Sequence, residues 1–280
     1  MDKFLIVDGS NLLFQMFYGM PARIVNHQGK AIQGTLGFTG ALLKIIRMIQ
    51  PTHVAVVFDG ECENSRCQMD ESYKANRPDY SLIPEDETPF SQLPDIYRIL
   101  DFLQIPHAET TDCEADDWIA GFALKYGAAA DVVIVSQDSD FFQLITDRVR
   151  ILRYRGKNTV ICDSAWLMEK YAIRPAQYAD FKALTGDNAD NIKGAEKVGP
   201  KTAAQLLSQF GTLEHLLTST ASVNRSSVRQ SLEQSISRLR TNYCLIRLNA
   251  TDDLPFSPDE MAYRDTGMGT TQILTAIGLR

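Results

Sequence analysis

Three short apolar runs along the chain each end in an acid. KFLIVD (3–8), THVAVVFD (52–59) and ADVVIVSQDSD (130–140) are rich in Val, Ile, Leu and Phe and do not alternate with polar residues. Runs of this kind predict strands buried on both faces, the signature of a parallel sheet. Stretches of helical spacing lie between and after them: GFTGALLKIIRMI (37–49), IYRILDFLQI (96–105) and ADDWIAGFALKY (115–126), the last with Ala115, Ile119, Phe122 and Ala123 on one face. From 62 to 95 the period is lost, and Pro78, Pro84, Pro89 and Pro94 punctuate a polar stretch. So long an unpatterned segment marks a functional or mobile element. Beyond about residue 165, WLMEKY, PAQYADFKAL, KTAAQLLSQF, LEHLLT and SSVRQSLEQSISRLRTNYCLI all have helical character. The expected fold is α/β, a mostly parallel central sheet flanked by helices over 1–165, followed by a helical region over 166–280.

Composition narrows the class. Of the 280 residues 44% are hydrophobic and 22% charged, ordinary for a globular chain with a real core. No run approaches the ~18 apolar residues of a membrane span, and MDKFLIVDGS lacks the apolar stretch and cleavage site of a signal peptide. Cys62, Cys67, Cys113, Cys162 and Cys244 form no C-x-x-C, so reduced thiols in the cytoplasm are expected. A net charge of −7 argues against a protein that coats nucleic acid, while leaving room for a local basic surface.

The acids carry the chemistry. In open parallel sheets the functional crevice lies at the carboxyl ends of the strands, so Asp8, Asp59, Asp138 and Asp140 should converge on one edge. DCEADDW adds more: with Asp112 as N-cap, Glu114, Asp116 and Asp117 fall in the first helical turn, with Glu114 and Asp117 on one face. Any one of these acids could simply cap a turn or favour a helix dipole. Those explanations work one residue at a time and do not account for an acid at every strand end identified. Clustered carboxylates stay ionised only beside cations, and all-oxygen ligation suits Mg²⁺ or Mn²⁺. So many acids suggest two ions and metal-dependent phosphoryl transfer or hydrolysis. An Asp-nucleophile phosphatase wants a second acid two residues after the strand-end Asp, where Asp8 is followed by Gly9 and Ser10.

The stretch LTGDNADNIKGAEKVGPKTAAQLL (184–207) joins an acidic half to a glycine–lysine half. Gly194, Gly199 and Pro200 predict a turn, and Lys201 and Thr202 open a helix whose free N–H groups could seat a phosphate. A plain connection between two helices fits equally well. It is not a P-loop, because Pro200 stands where that motif needs its lysine. In SYKANR (72–77), one helical turn would place Lys74 and Arg77 on a common face, either as a solvated loop or as cations over the acidic pocket that clamp a scissile phosphate. Arg148, Arg150, Arg153, Arg155 and Lys157 form a further basic group that either touches DNA or protects a strand edge.

VDGSNLLF, VVFDG, SYKANR, DCEADDWIA, SQDSDFFQL and TGDNADNIKGAEKVGPKTA, in that order, resemble the 5′-nuclease (flap endonuclease) family, in particular the 5′–3′ exonuclease domain of bacterial DNA polymerase I and its stand-alone bacterial and phage counterparts. The resemblance covers about residues 3 to 250. It implies a PIN-like nuclease domain, a helical arch or clamp at about 66–95, and a helix–three-turn–helix DNA-binding element. It also implies cleavage of DNA at 5′ flaps and 5′ ends near duplex junctions, in replication or repair. Asp8, Asp59, Glu114 and Asp116 would hold one metal, and Asp138, Asp140, Asp187 and Asp190 the second, with Asp117 an additional acid. Lys74 and Arg77 would contact the scissile phosphate and Tyr73 would stack on a base. Gly194, Val198, Gly199, Lys201 and Thr202, with Lys193 and Lys197, would grip the duplex backbone, and the carbonyls of Gly194, Ala195 and Val198 are the possible K⁺ site.

The chain departs from the family pattern at Lys197, where members often carry glycine, at Gln15, where an arginine is frequent, and in the acidic run Glu85-Asp86-Glu87. With no polymerase region in the sequence, a stand-alone monomeric nuclease is expected, the alternative being a junction-binding protein with little or no catalysis.

Overall fold

The computed structural model describes residues 2–60 and 65–279. Six strands form one sheet in the order β3-β2-β1-β4-β5-β6: β1 (Lys3–Asp8), β2 (His53–Phe58), β3 (His107–Glu109), β4 (Asp131–Val135), β5 (Val149–Arg153) and β6 (Val160–Cys162). All neighbouring pairs are parallel except β5 with β6. The three apolar runs are the three central strands, as their composition requires. Their side chains alternate between two cores: Phe4 and Ile6 face one side of β1, Leu5 and Val7 the other.

One face is covered by α1 (Gly9–Gly19), α2 (Gln33–Ile49) and α4 (Leu93–Phe102); α3 (Ser65–Met69) lies between the last two in sequence. The other face is covered by α5 (Ala115–Gly127), and its core continues without a break into the helical region. There α6 (Ser164–Tyr171) and α7 (Tyr178–Thr185) lead into a small hairpin, β7 (Gly186–Asp187) and β8 (Ile192–Lys193). Then follow α8 (Pro200–Phe210), α9 (Leu213–Thr218) and the long α10 (Ser226–Ile246). The chain next returns to the sheet side: α11 (Pro258–Met261) precedes Tyr263, whose N–H donates to the Thr52 carbonyl at 2.8 Å, and α12 (Thr270–Ala276) packs on α2 and α4.

Two sequence expectations change. The helix after Glu109 starts at Ala115, with Glu114 and not Asp112 as its N-cap, because the Asp59 carboxylate accepts from Ala115 N–H at 3.0 Å and caps it across the fold. Between α3 and α4 the described residues form turns and 3₁₀ turns (Tyr80–Leu82, Glu85–Glu87, Pro89–Gln92) where a helical arch was expected. The prolines spaced along that segment interrupt any longer helix. No helix among the described residues is long and apolar enough to cross a membrane. Cys162 is a buried free thiol and Cys244 an exposed one; Cys62 and the Cys67 side chain lie outside the described residues.

Candidate metal centre and nucleic-acid interface

The sheet topology brings the strand-end acids to one edge. Asp8 closes β1 and caps α1, accepting from Asn11 N–H at 2.9 Å and from Ser136 Oγ at 2.7 Å. The polar residues after β1 lace the neighbouring strand ends together: Asp59 N–H donates to Ser10 Oγ at 2.9 Å, and Gln137 N–H donates to Asn11 Oδ1 at 2.9 Å. Asp8, Asp59, Glu114, Asp116 and Asp138 line a cleft of about 590 Å³ together with Lys74 and Arg77. Beside it, carboxylate oxygens of Asp140, Asp187 and Asp190 lie within 4.8 Å of one another. Asp138 borders the first group and also bonds the second, accepting from Asp140 N–H at 2.8 Å. Its charge also acts on Asp140 of the second group, so it lines the cleft and adjoins both groups.

Burial and mutual repulsion act on these acids together. Asp8 is pushed up to about 7, by burial first and the Asp59 charge second. Asp140 is pushed up to about 8, by burial and then by Asp138. Asp116 and Asp138 move the same way, with burial the largest cause. Asp140 Oδ1 is buried, makes no hydrogen bond among the described residues, and lies 3.4 Å from the Lys182 ammonium. An all-carboxylate set, buried and crowded with like charge, fits hard divalent cations.

Asp117 is placed apart from the cleft. Its carboxylate accepts from Arg66 Nη2 at 2.8 Å and from Asn249 N–H at 3.0 Å. Those partners engage it structurally and leave it outside the cleft lining, a correction to its expected place among the metal-facing acids.

SYKANR is a run of tight turns, not a helical turn, with Lys74 at φ 58°. It is fastened to the β7–β8 hairpin: Lys74 N–H donates to Asp190 O at 3.1 Å, Asn76 Nδ2 to Asn188 O at 2.9 Å, and Asn191 Nδ2 to Ser72 O at 2.9 Å. Lys74 pairs with Glu114, and Arg77 with Asp190 at 2.9 Å, so the two cations serve different acids. Tyr73 is 7% exposed, with Lys74 Nζ 4.8 Å from its ring centroid. A ring so enclosed offers no face to a base, which corrects the expectation of stacking there.

Sequence reasoning missed an aromatic wall in the same cleft. Phe14, Tyr80 and Phe90 meet edge to face, with centroids 5.7, 5.5 and 5.3 Å apart. It also missed Lys182 on α7, which pairs with Asp187 and lies 3.4 Å from Asp140; despite burial, which works against its charge, Asp140 holds its ammonium above the usual range. The available signal was DFKALTGD, which puts Lys182 five residues before Asp187, in the last turn of the helix that leads into it.

In the turn, Val198 and Ala195 are buried, while Lys193, Lys197, Gly199 and Lys201 are exposed and Thr202 is half-buried. Gly199 caps α8, and Pro200 opens it. Lys197 sits at φ 63°, the left-handed region that glycine occupies freely. The Gly194 carbonyl accepts from Arg238 Nη2 at 3.2 Å, and the Ala195 carbonyl from Val198 N–H at 3.2 Å. Gln15 Nε2 donates to the Tyr154 carbonyl at 2.6 Å. In the basic group, Arg150 lies 3.7 Å from Asp131, Arg153 donates to the Gln137 carbonyl at 2.8 Å, and Arg155 to Gln137 Oε1 at 2.9 Å. Arg153 and Arg155 thus brace the loop that carries Asp138.

The family model for the 5′–3′ exonuclease N-terminal resolvase-like domain matches residues 3–172, and that for the 5′–3′ exonuclease C-terminal SAM fold matches 173–268. Thermostable DNA polymerase I of Thermus thermophilus is 35% identical over 258 residues, covering 92% of this chain and 30% of that protein. DNA polymerase I of Rhizobium leguminosarum is 34% identical over 269 residues, covering 92% of this chain and 25% of that protein. The chain thus spans between a quarter and a third of the length of these relatives. Two solved structures share the fold. The 5′-exonuclease of bacteriophage T5 with bound divalent metal (zinc) has a TM-score of 0.71 and 22% identity over 88% of this chain and 90% of that one. The catalytic core of Rad2 in complex with a DNA substrate has a TM-score of 0.60 and 16% identity over 100% and 92%.

Proposed function

The chain belongs to the 5′–3′ exonuclease family, and on that premise we propose that it is a structure-specific 5′-nuclease that hydrolyses DNA phosphodiesters at 5′ flaps and 5′ ends near duplex junctions. One observation carries the reading: acids from three strand ends, the start of α5 and the β7–β8 hairpin converge beside Lys74 and Arg77.

Asp8, Asp59, Glu114 and Asp116 would hold one divalent ion, and Asp140, Asp187 and Asp190 a second, with Asp138 adjoining both groups. The all-oxygen donors suit Mg²⁺, with Mn²⁺ as a substitute. When bound, such ions activate water and neutralise charge on a phosphodiester. The protein's own groups do the rest. Lys74 and Arg77 offer hydrogen bonds to phosphate oxygens where the cleft opens. Phe14, Tyr80 and Phe90 offer a stacking surface to a base of the single strand. Gly199, Lys201 and Thr202, with the charges of Lys193 and Lys197, would offer backbone N–H groups and charge to duplex phosphates and read no sequence, on a turn that Gly194 and the Val198 N–H bond to the Ala195 carbonyl hold in shape. K⁺ at the Gly194, Ala195 and Val198 carbonyls would have to share two of them with Arg238 and Val198 N–H, so Arg238 is the better-supported cation there.

We read the chain as an α/β nuclease part over 1–165 and a helical DNA-binding part over 166–280, acting as a cytoplasmic monomer in replication or repair. The test is a fluorescent 5′-flap substrate with Mg²⁺, comparing the protein with Asp138→Ala. Equal cleavage by both would refute the proposal. Tight flap binding in Ca²⁺ with no cleavage in Mg²⁺ or Mn²⁺ would make the chain a junction-binding protein instead.

A further inference from the structure

Behind the cleft lies a buried guanidinium that the reaction does not touch. The Arg66 side chain, on α3, is 2% exposed. Its Nη1 pairs with Glu114 Oε2 and lies 3.3 Å from Asp117 Oδ2, while its Nη2 donates to Asp117 Oδ1 at 2.8 Å and to the Arg247 carbonyl at 3.3 Å. Glu114 thereby has one oxygen held from behind; the other, Oε1, faces Lys74 and the cleft. Asp117 is in turn held by Asn249 N–H. A single planar fork thus spans two carboxylates three residues apart, which a lysine cannot do.

The supports come from three distant parts of the chain: α3, the start of α5, and the segment after α10. Earlier along α10, Arg238 binds the Gly194 carbonyl and Asn242 Nδ2 donates to the Lys193 carbonyl at 2.9 Å. The helix that braces the glycine turn therefore also ends at the group that braces Glu114.

We propose that Arg66 is a positioning residue for the metal centre: it sets the orientation of the Glu114 carboxylate, and Asp117 sets the orientation of Arg66. Partners of this kind around a metal ligand typically change metal affinity by about 10–100-fold when removed. The proposal rests on the reading of Glu114 as a metal-facing acid.

The experiment uses the full chain with Arg66→Lys, Arg66→Met and Asp117→Asn, and Glu114→Gln as the control. Mn²⁺ affinity is measured by electron paramagnetic resonance without DNA, thermal unfolding by calorimetry, and KM and kcat on a 5′ flap across Mg²⁺ concentrations. Arg66→Lys and Asp117→Asn, the mildest changes, should bind Mn²⁺ about 10-fold or more weakly, keep the KM for flap, and regain cleavage as Mg²⁺ is raised. Should Arg66→Met fail to fold, Asp117→Asn, which keeps the side-chain volume, carries the test. If Glu114→Gln weakens Mn²⁺ binding while folded Arg66→Lys and Asp117→Asn bind it like the parent, the role of Arg66 is structural only and the proposal falls. If Glu114→Gln itself leaves Mn²⁺ affinity unchanged, the reading of the site fails, and Arg66 with it.

Discussion

Gly186 and Gly194 cross backbone on backbone. A Cβ on Gly186 would lie 2.6 Å from Gly194 N, and one on Gly194 would lie 2.4 Å from the Leu184 carbonyl oxygen. Gly186 also sits at φ 81°, open to glycine. This crossing seats the hairpin bearing Asp187 and Asp190 directly against the start of the glycine–lysine turn, at a fixed spacing. The atoms nearest a Cβ on Gly194 are all backbone and cannot swing aside, so Gly194→Ala should destabilise by about 3 kcal/mol, the upper range of overpacking, in urea titration. A loss below about 0.5 kcal/mol would mean the crossing is loose.

Lys197 tests the opposite sign. An L-residue at φ 63° carries roughly 1–2 kcal/mol of local strain, and glycine would give part of that back as unfolded-state entropy. Lys197→Gly should therefore raise stability by about 0.5–1 kcal/mol in the same titration while weakening duplex binding at low salt. A destabilised Lys197→Gly would show that the lysine makes contacts outweighing its backbone.

The sheet was legible where the chemistry was local. β1, β2 and β4 announce themselves because both their faces are buried, leaving no polar alternation to read. β5 and β6 did not: Arg150 and Arg153 interrupt the apolar run, and only the fold shows them meeting Asp131 and Gln137. Asp8, Asp59, Asp138 and Asp140 were legible because they directly follow those runs; Glu114 and Asp116 came from the helix start DCEADDW, and Asp187 and Asp190 took a role only from the family resemblance. What holds them was not legible. Arg66 lies in a polar stretch that looks like solvated loop, and Phe14 meets Phe90 only after the chain has folded. The Asp112 cap failed because Asp59, just past the end of β2, accepts from the first N–H of α5.

Metal and pH should trade against each other. Asp8 and Asp140 have folded-state values of about 7 and about 8 against an ordinary 3.8, so the folded protein binds their protons more tightly than the unfolded chain does. Their contribution to stability is present below about pH 4 and is lost as pH rises through about 7 and 8. In EDTA the unfolding temperature should fall between pH 6 and 8.5. Added Mn²⁺ should stabilise more at the upper end, because the ion competes with those protons. A metal effect that shrinks with rising pH would contradict this.

Lys182 is the resident countercharge of the second acidic group, pairing with Asp140 and Asp187. Lys182→Met leaves those buried acids uncompensated and should cost about 3 kcal/mol in EDTA, the low end for breaking a buried pair. In saturating Mn²⁺ the gap to the parent should narrow, since an ion takes over the neutralisation. An equal gap in both conditions, read by calorimetry, would mean that Lys182 contributes by packing alone.

The aromatic wall should affect substrate without affecting metal. Phe90 is 42% exposed and, with Tyr80 and Phe14, borders the acids without contributing a charge. Base stacking on such a surface is worth about 1–3 kcal/mol by alanine substitution, so Phe90→Ala and Tyr80→Ala should each raise the KM for a 5′ flap by about 10-fold. Tyr80→Phe keeps the ring and should stay near the parent, since among the described residues the Tyr80 hydroxyl has a single weak contact, 3.4 Å from that of Tyr18. Mn²⁺ affinity should be unchanged in all three, because none offers a ligand. If the alanine variants lower kcat at saturating flap and leave KM alone, the wall orients the reacting phosphate rather than seating a base; if Mn²⁺ affinity falls as well, it supports the cleft and not the strand.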